Sequence, residues 1–179
     1  MLIHLYYLWV NIKKVENYMK LTKKELWLLI GIIIIIIIGY FGTKWYVDNR
    51  YDYYIVEGES MLPNLLDGAE VKVDKYKKIK RYDIVVMEVG DSTIIKRVIG
   101  IPDDILRFTK DDKLFINEEE VNYHFDIKGS TRIIDEEIKL DYQFYYVLGD
   151  NRDNAYDSRS FGKVSKSQIL GVVVDINNP

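Results

Sequence analysis

Three features of this 179-residue chain could do chemistry: a serine in a tight turn, a lysine inside an apolar strand, and a loop dense in Asp, Asn and Arg. Ser60 stands in Gly58-Glu59-Ser60-Met61-Leu62-Pro63. A hydroxyl is a poor nucleophile until a neighbouring group takes its proton. His4 and His124 are the only imidazoles, and cysteine is absent, so a Ser-His-Asp triad is improbable. The missing cysteines also remove thiol nucleophiles, disulfides and Cys-ligated metals. The proton acceptor is then a carboxylate or an amine. Lys96, in Ile94-Ile95-Lys96-Arg97-Val98-Ile99-Gly100, offers an amine, because in a strand it shares a face with Ile94 and Val98. Such neighbours strip water from the ammonium and lower its pKa from about 10.4. Lowering it by ~2–3 units costs roughly 3–4 kcal/mol in the charged form and leaves an amine that can act as a base near neutrality. The third feature runs from Gly149 to Gly162 and holds Asp150, Arg152, Asp157, Ser158 and Arg159. Taken singly, each has an ordinary explanation: a turn serine, a lysine that snorkels to water, and a solvated turn or a calcium loop.

The elements that must position these groups divide the chain into 1–25, an N-terminal segment; 26–42, an apolar helix; 43–52, a linker; and 53–179, a body. Leu26 to Gly42 reads LWLLIGIIIIIIIGYFG, 17 positions without a charge. As a helix this spans roughly 25 Å, at the short end of a membrane crossing. Trp27 lies near one end and Tyr40, Phe41, Trp45 and Tyr46 near the other. Lys20, Lys23 and Lys24 precede the run, which puts the N-terminus in the cytoplasm and the body outside. No small-x-small pair follows, so an uncleaved anchor is expected rather than a removed signal. Met19-Lys20-Leu21-Thr22-Lys23-Lys24 would itself serve as a start of translation.

Beyond the linker, β-branched residues alternate with polar ones. Strands are expected at Tyr53–Val56, Glu70–Asp74, Asp83–Met87, Thr93–Ile99, Lys113–Ile116, Phe144–Leu148 and Gly171–Ile176. Glu118 to Leu140 is charged and reads as a mobile hairpin or loop, and Ser165 to Leu170 as a short helix. The fold class is mostly β: an antiparallel, barrel-like sheet behind a single N-terminal transmembrane helix. Residues 1–42 carry a net +3 and the other 137 a net −6, which argues against nucleic acid as a partner.

Ser-Met-x-Pro at Ser60, the strand Arg81-Tyr82-Asp83-Ile84-Val85-Val86, Lys-Arg-Val-Ile-Gly-x-Pro-x-Asp from Lys96, and Gly-Asp-Asn-Arg…Asp-Ser-Arg-x-Phe-Gly from Gly149 occur in this order behind an anchor. Together they resemble type I signal peptidase, in its Gram-positive form, over residues 26 to 174. The resemblance implies a Ser-Lys dyad, with Ser60 as nucleophile, Lys96 as general base and the Ser60 backbone N–H as oxyanion donor. Gly58 stands where some relatives place a second, hydroxyl donor. Asp150, Arg152, Asp157, Ser158 and Arg159 become a scaffold that holds the lysine strand. Expected partners are the signal peptides of exported preproteins, the lipid bilayer and the export translocase. No metal or organic cofactor is implied.

The substrate is expected as an added strand with small residues one and three before the cut. Val56, Met61, Leu65, Ile94 and Ile95 are candidate pocket walls, with core packing as the alternative for each. Trp45, Tyr46, Tyr51, Tyr53 and Tyr54 are candidates for a lipid-facing cluster. Three positions depart from the family pattern: Asn64 in place of Thr, Asp103 in place of Gly, and Ala155 in place of a Ser that orients the lysine. These departures motivate the competing reading, a homologue that binds signal peptides or the translocase without cutting. A self-cleaving Ser-Lys repressor would need a soluble chain with a DNA-binding domain, which the Ile run excludes.

Overall fold

The structure is a computed structural model that describes residues 6, 7, 9–11, 22–131 and 136–179, the side chain of Glu136 excepted. Two compact units result, one before and one from Arg50.

In the first, helix α1 (Lys23–Arg50) is 28 residues long, about 42 Å at the helical rise. A capping box opens it: Thr22 N–H donates to Glu25 Oε2 at 2.8 Å and Glu25 N–H to Thr22 Oγ1 at 3.4 Å. Nothing along α1 is buried, and the Ile run is apolar all round and exposed. The helix is long and apolar enough to cross a membrane. It continues through residues 43–50, expected as linker, because Thr43 to Arg50 contains no Pro or Gly to stop it.

The second unit is antiparallel β structure. A seven-stranded sheet contains β1 (Tyr51–Ile55), β2 (Glu70–Asp74), β3 (Ile84–Val89), β4 (Ser92–Gly100), β9 (Phe144–Leu148), β10 (Val164–Ser165) and β11 (Ile169–Asn177), in the order β1-β2-β11-β3-β4-β9-β10. A smaller sheet holds β5 (Ile105–Phe108), β6 (Leu114–Ile116), β7 (Glu119–Glu120) and β8 (Glu136–Lys139), in the order β7-β6-β5-β8. The mostly-β, antiparallel expectation holds, with one adjustment. β1 and β10 end the large sheet without pairing to each other, so it is open rather than a closed barrel.

Both faces of the large sheet are covered, and strand alternation sorts its residues between them. On β3, Ile84 and Val86 pack with Val56, Met61, Leu65 and Val71, while Val85 and Met87 pack with Val98, Val147 and Val172. A third cluster, built on Ile99, Leu106, Phe108, Tyr146 and Leu148, joins the large sheet to the small one.

Two expectations need correction. Part of the stretch expected as a loop, Glu136–Lys139, pairs with β5, which had itself gone unassigned; residues 132–135 lie outside the described residues. The expected helix at Ser165–Leu170 is only a 3-10 turn, Lys166–Gln168. Ser165 and Gln168 cap it reciprocally, and Ile169 is drawn into β11, where it pairs with Met87.

Candidate active site

Ser60 lies in the turn between β1 and β2, and Lys96 in the middle of β4. Lys96 is 4% exposed, and its Nζ lies 2.8 Å from Ser60 Oγ and 2.7 Å from Ile95 O. Burial lowers the ammonium's pKa to about 8, against an upward pull from Asp157 and Asp150. Desolvation wins because neither carboxylate bonds the amine; both are engaged with arginines. A neutral amine has two N–H bonds and one lone pair. With one N–H on Ile95 O, the lone pair is free to accept the Ser60 hydroxyl proton.

Asp150 braces the lysine strand. Arg97, next to Lys96, donates from Nε to Asp150 Oδ1 at 2.8 Å and from Nη2 to Oδ2 at 2.6 Å. It also donates to Tyr82 O at 2.9 Å and stacks 4.0 Å from the Phe125 ring centre. Asp157 and Arg159 pair as expected, with Nη2 and Oδ2 2.7 Å apart, and their further bonds go to Gly149 and Thr131 rather than to β4 itself. Asp157 Oδ2 accepts the Gly149 N–H at 3.0 Å and Arg159 reaches Thr131 O, which fixes the end of β9. Arg152 donates to Gly149 O and to Thr131 Oγ1. Ser158 Oγ accepts the Val147 N–H at 2.9 Å, a bond into β9 rather than to the lysine. Of the five scaffold candidates, only Asp150 grips the lysine strand through a side chain; the others act through β9, which pairs with β4 at Arg97–Leu148 and Val98–Val147.

Ser60 and Lys96 border a cleft of about 300 Å³. Val56, Met61, Ile94 and Ile95 line it, together with Tyr54, Ile55, Glu57 and Thr93, which sequence reasoning missed. Leu65 is not among the lining residues: it is fully buried in the core with Met61 and Ala69.

The structural roles of three further residues escaped the sequence. Asn64 Nδ2 donates to Asp150 Oδ2 at 2.9 Å and to Asp126 O at 2.8 Å, so the residue marked as a departure ties the serine loop to the scaffold. Asn151 bonds the serine loop from the other side, at Glu59 O and Ser60 O. Asp103 adopts φ +71°, a left-handed conformation that Asp enters more readily than most residues, and Asp104 then anchors the turn on Arg81 and Ile101 N–H. The signal for the two asparagines was their type, since a short amide serves loops well, but their partners are distant in sequence.

Comparison with known proteins decides the family. The model "Signal peptidase, peptidase S26" matches residues 23–176. This chain belongs to that family. Signal peptidase I V of Bacillus subtilis strain 168 is 33% identical over 171 residues, covering 86% of this chain and 98% of its own. Signal peptidase IB of Staphylococcus aureus strain Mu50 is 32% identical over 175 residues, covering 84% of this chain and 88% of its own. A solved signal peptidase I from Enterococcus faecalis V583 is 26% identical with a TM-score of 0.47, covering 55% of this chain and 98% of that one. The peptidase described here is accordingly a hydrolase of the serine endopeptidase class.

Proposed function

We propose that this peptidase removes signal peptides from exported preproteins by a Ser60–Lys96 dyad, with its body held at the outer membrane face by α1. The observation that carries the reading is the 2.8 Å approach of the Lys96 amine, itself buried, to the Ser60 hydroxyl. In this reaction Ser60 Oγ attacks the scissile carbonyl carbon and its proton passes to neutral Lys96. The oxygen that becomes negative is met by the Ser60 N–H, and a donor of this kind is worth about 3 kcal/mol. Lys96 then returns the proton to the leaving amine as the C–N bond breaks. Water, deprotonated by the same amine, releases the acyl group.

The cleft beside Ile55–Glu57 and Thr93–Lys96 suits an extended segment with small side chains at the two positions that face Val56, Met61, Ile94 and Ile95. Lys20, Lys23 and Lys24, which flank the N-terminal end of the apolar run, favour a cytoplasmic N-terminus. Docking beside the export translocase follows from where such substrates emerge.

The test is cleavage of a preprotein by the detergent-solubilised full chain, with Ser60→Ala and Lys96→Met as controls. The expected result is processing by the unmodified chain and loss of more than a thousandfold in either variant. Turnover that survives either substitution overturns the dyad. A chain that binds signal peptide without any Ser60-dependent turnover is a non-catalytic homologue.

A further inference from the structure

Asn151 is 2% exposed and stands at the N-cap of the 3-10 turn Arg152–Asn154, yet its side chain makes no capping bond. It turns instead to the nucleophile loop. Nδ2 donates to Glu59 O at 3.0 Å, and the backbone N–H donates to Ser60 O at 3.0 Å. Glu59 O takes a second donor, the Leu62 N–H at 3.2 Å. Both peptide planes that flank Ser60 are therefore pinned, and Asn151 bonds to each.

The 59–60 peptide is trans, so its C=O and N–H point in opposite directions and move as one rigid group. Holding the Glu59 oxygen thereby aims the Ser60 N–H. A donor on that oxygen also polarises the amide and makes its N–H a stronger donor. Among the described residues no protein acceptor takes the Ser60 N–H.

We propose that Asn151 is the positioning residue of the oxyanion site, the carboxamide that, through the Glu59 carbonyl, points the Ser60 N–H at the oxygen that becomes negative during acyl transfer. The inference rests on the Ser60–Lys96 reading above. Among the described residues Asn151 Oδ1 is buried without a hydrogen-bond partner, so the side-chain amide engages its surroundings through its donor alone.

The experiment compares the full-length chain with Asn151→Leu and Asn151→Ala in detergent. Readouts are kcat, KM, the affinity of a substrate-sequence peptide aldehyde that forms an oxyanion on Ser60, and the affinity of the uncleaved peptide measured in the Ser60→Ala background. In at least one folded variant kcat and aldehyde affinity should fall together by about tenfold or more. KM, peptide affinity and the rising pH limb should stay within twofold of the parent, with melting temperature held in Asn151→Leu. Unchanged kcat, or peptide affinity that falls in step with aldehyde affinity, overturns the proposal and leaves Asn151 as a brace. Turnover persisting in Ser60→Ala or Lys96→Met would instead sink the dyad itself.

Discussion

Lys96 carries a sign that can be checked twice. Its native pKa, about 8, lies below the usual 10.5. Between those values the unfolded chain binds more protons than the native one, so stability rises with pH across that window. At pH 7 about nine-tenths of the native amine is charged, so kcat/KM should climb roughly tenfold per pH unit below about 8 and level off above it. Lys96→Met should abolish turnover yet stabilise the fold at pH 7, by up to ~3 kcal/mol, with the gain shrinking as pH rises toward 10.5. A denaturant melt at several pH values measures this, and a pH-independent difference would contradict it. Ala155 supplies a second test. Its Cβ crowds the position where a Gly149 side chain would begin, a position that also lies 2.6 Å from Ser60 O, so residue 155 packs near the nucleophile. Ser158 is committed to Val147, so its hydroxyl is not available to orient the lysine in place of one at position 155. Ala155→Ser should raise the preprotein cleavage rate about tenfold, the worth of ~1.4 kcal/mol in orientation. A rate equal to or below the parent's ends that expectation.

Elements differ in how far the residues alone announce them. β3 and β4 read plainly because Ile84-Val85-Val86, Ile94-Ile95 and Val98-Ile99 concentrate β-branched residues between turn signals. β8 did not, because Glu136-Glu137-Ile138-Lys139 has a single apolar side chain, and it forms a strand only by pairing with β5. Singly, Ser60 reads as a turn serine and Lys96 as a snorkelling lysine; it is the ordered motifs together, through the family resemblance, that point to the two as partners. The roles of Arg97, Asn64 and Asn151 were not legible, since their partners lie 53, 86 and 92 positions away along the chain. The Arg97–Asp150 pair is the strut between β4 and the loop after β9. Asp150→Leu alone should cost about 3–5 kcal/mol, because it strands a buried guanidinium. Arg97→Leu with Asp150→Leu should cost markedly less than the two single changes added together, and urea melts of the four proteins give the coupling. Additive losses would mean that the strut carries no mutual energy.

On the scale of the whole molecule, α1 and the body have opposite charge and opposite tastes for solvent. Protease added outside sealed vesicles of native orientation should reach the body, residues 50–179, and leave residues 1–25 intact; the reverse pattern would invert the proposed topology. Confinement to a surface raises the effective concentration of enzyme against an emerging preprotein. Severing the chain at Arg50 should therefore slow cleavage of membrane-embedded precursor far more than cleavage of a soluble peptide. Equal slowing would leave the anchor without a kinetic role.

Asp150 and Asn151 are neighbours, one gripping the strand of the amine and the other the turn of the alcohol. A single joint thus carries both halves of the proposed Ser60–Lys96 pair, and any sway of that joint moves them in phase. Warming should then blur the position of the pair long before it alters the gap between them. The heat-inactivation curve should lie on top of the global melting curve, with no earlier loss of turnover.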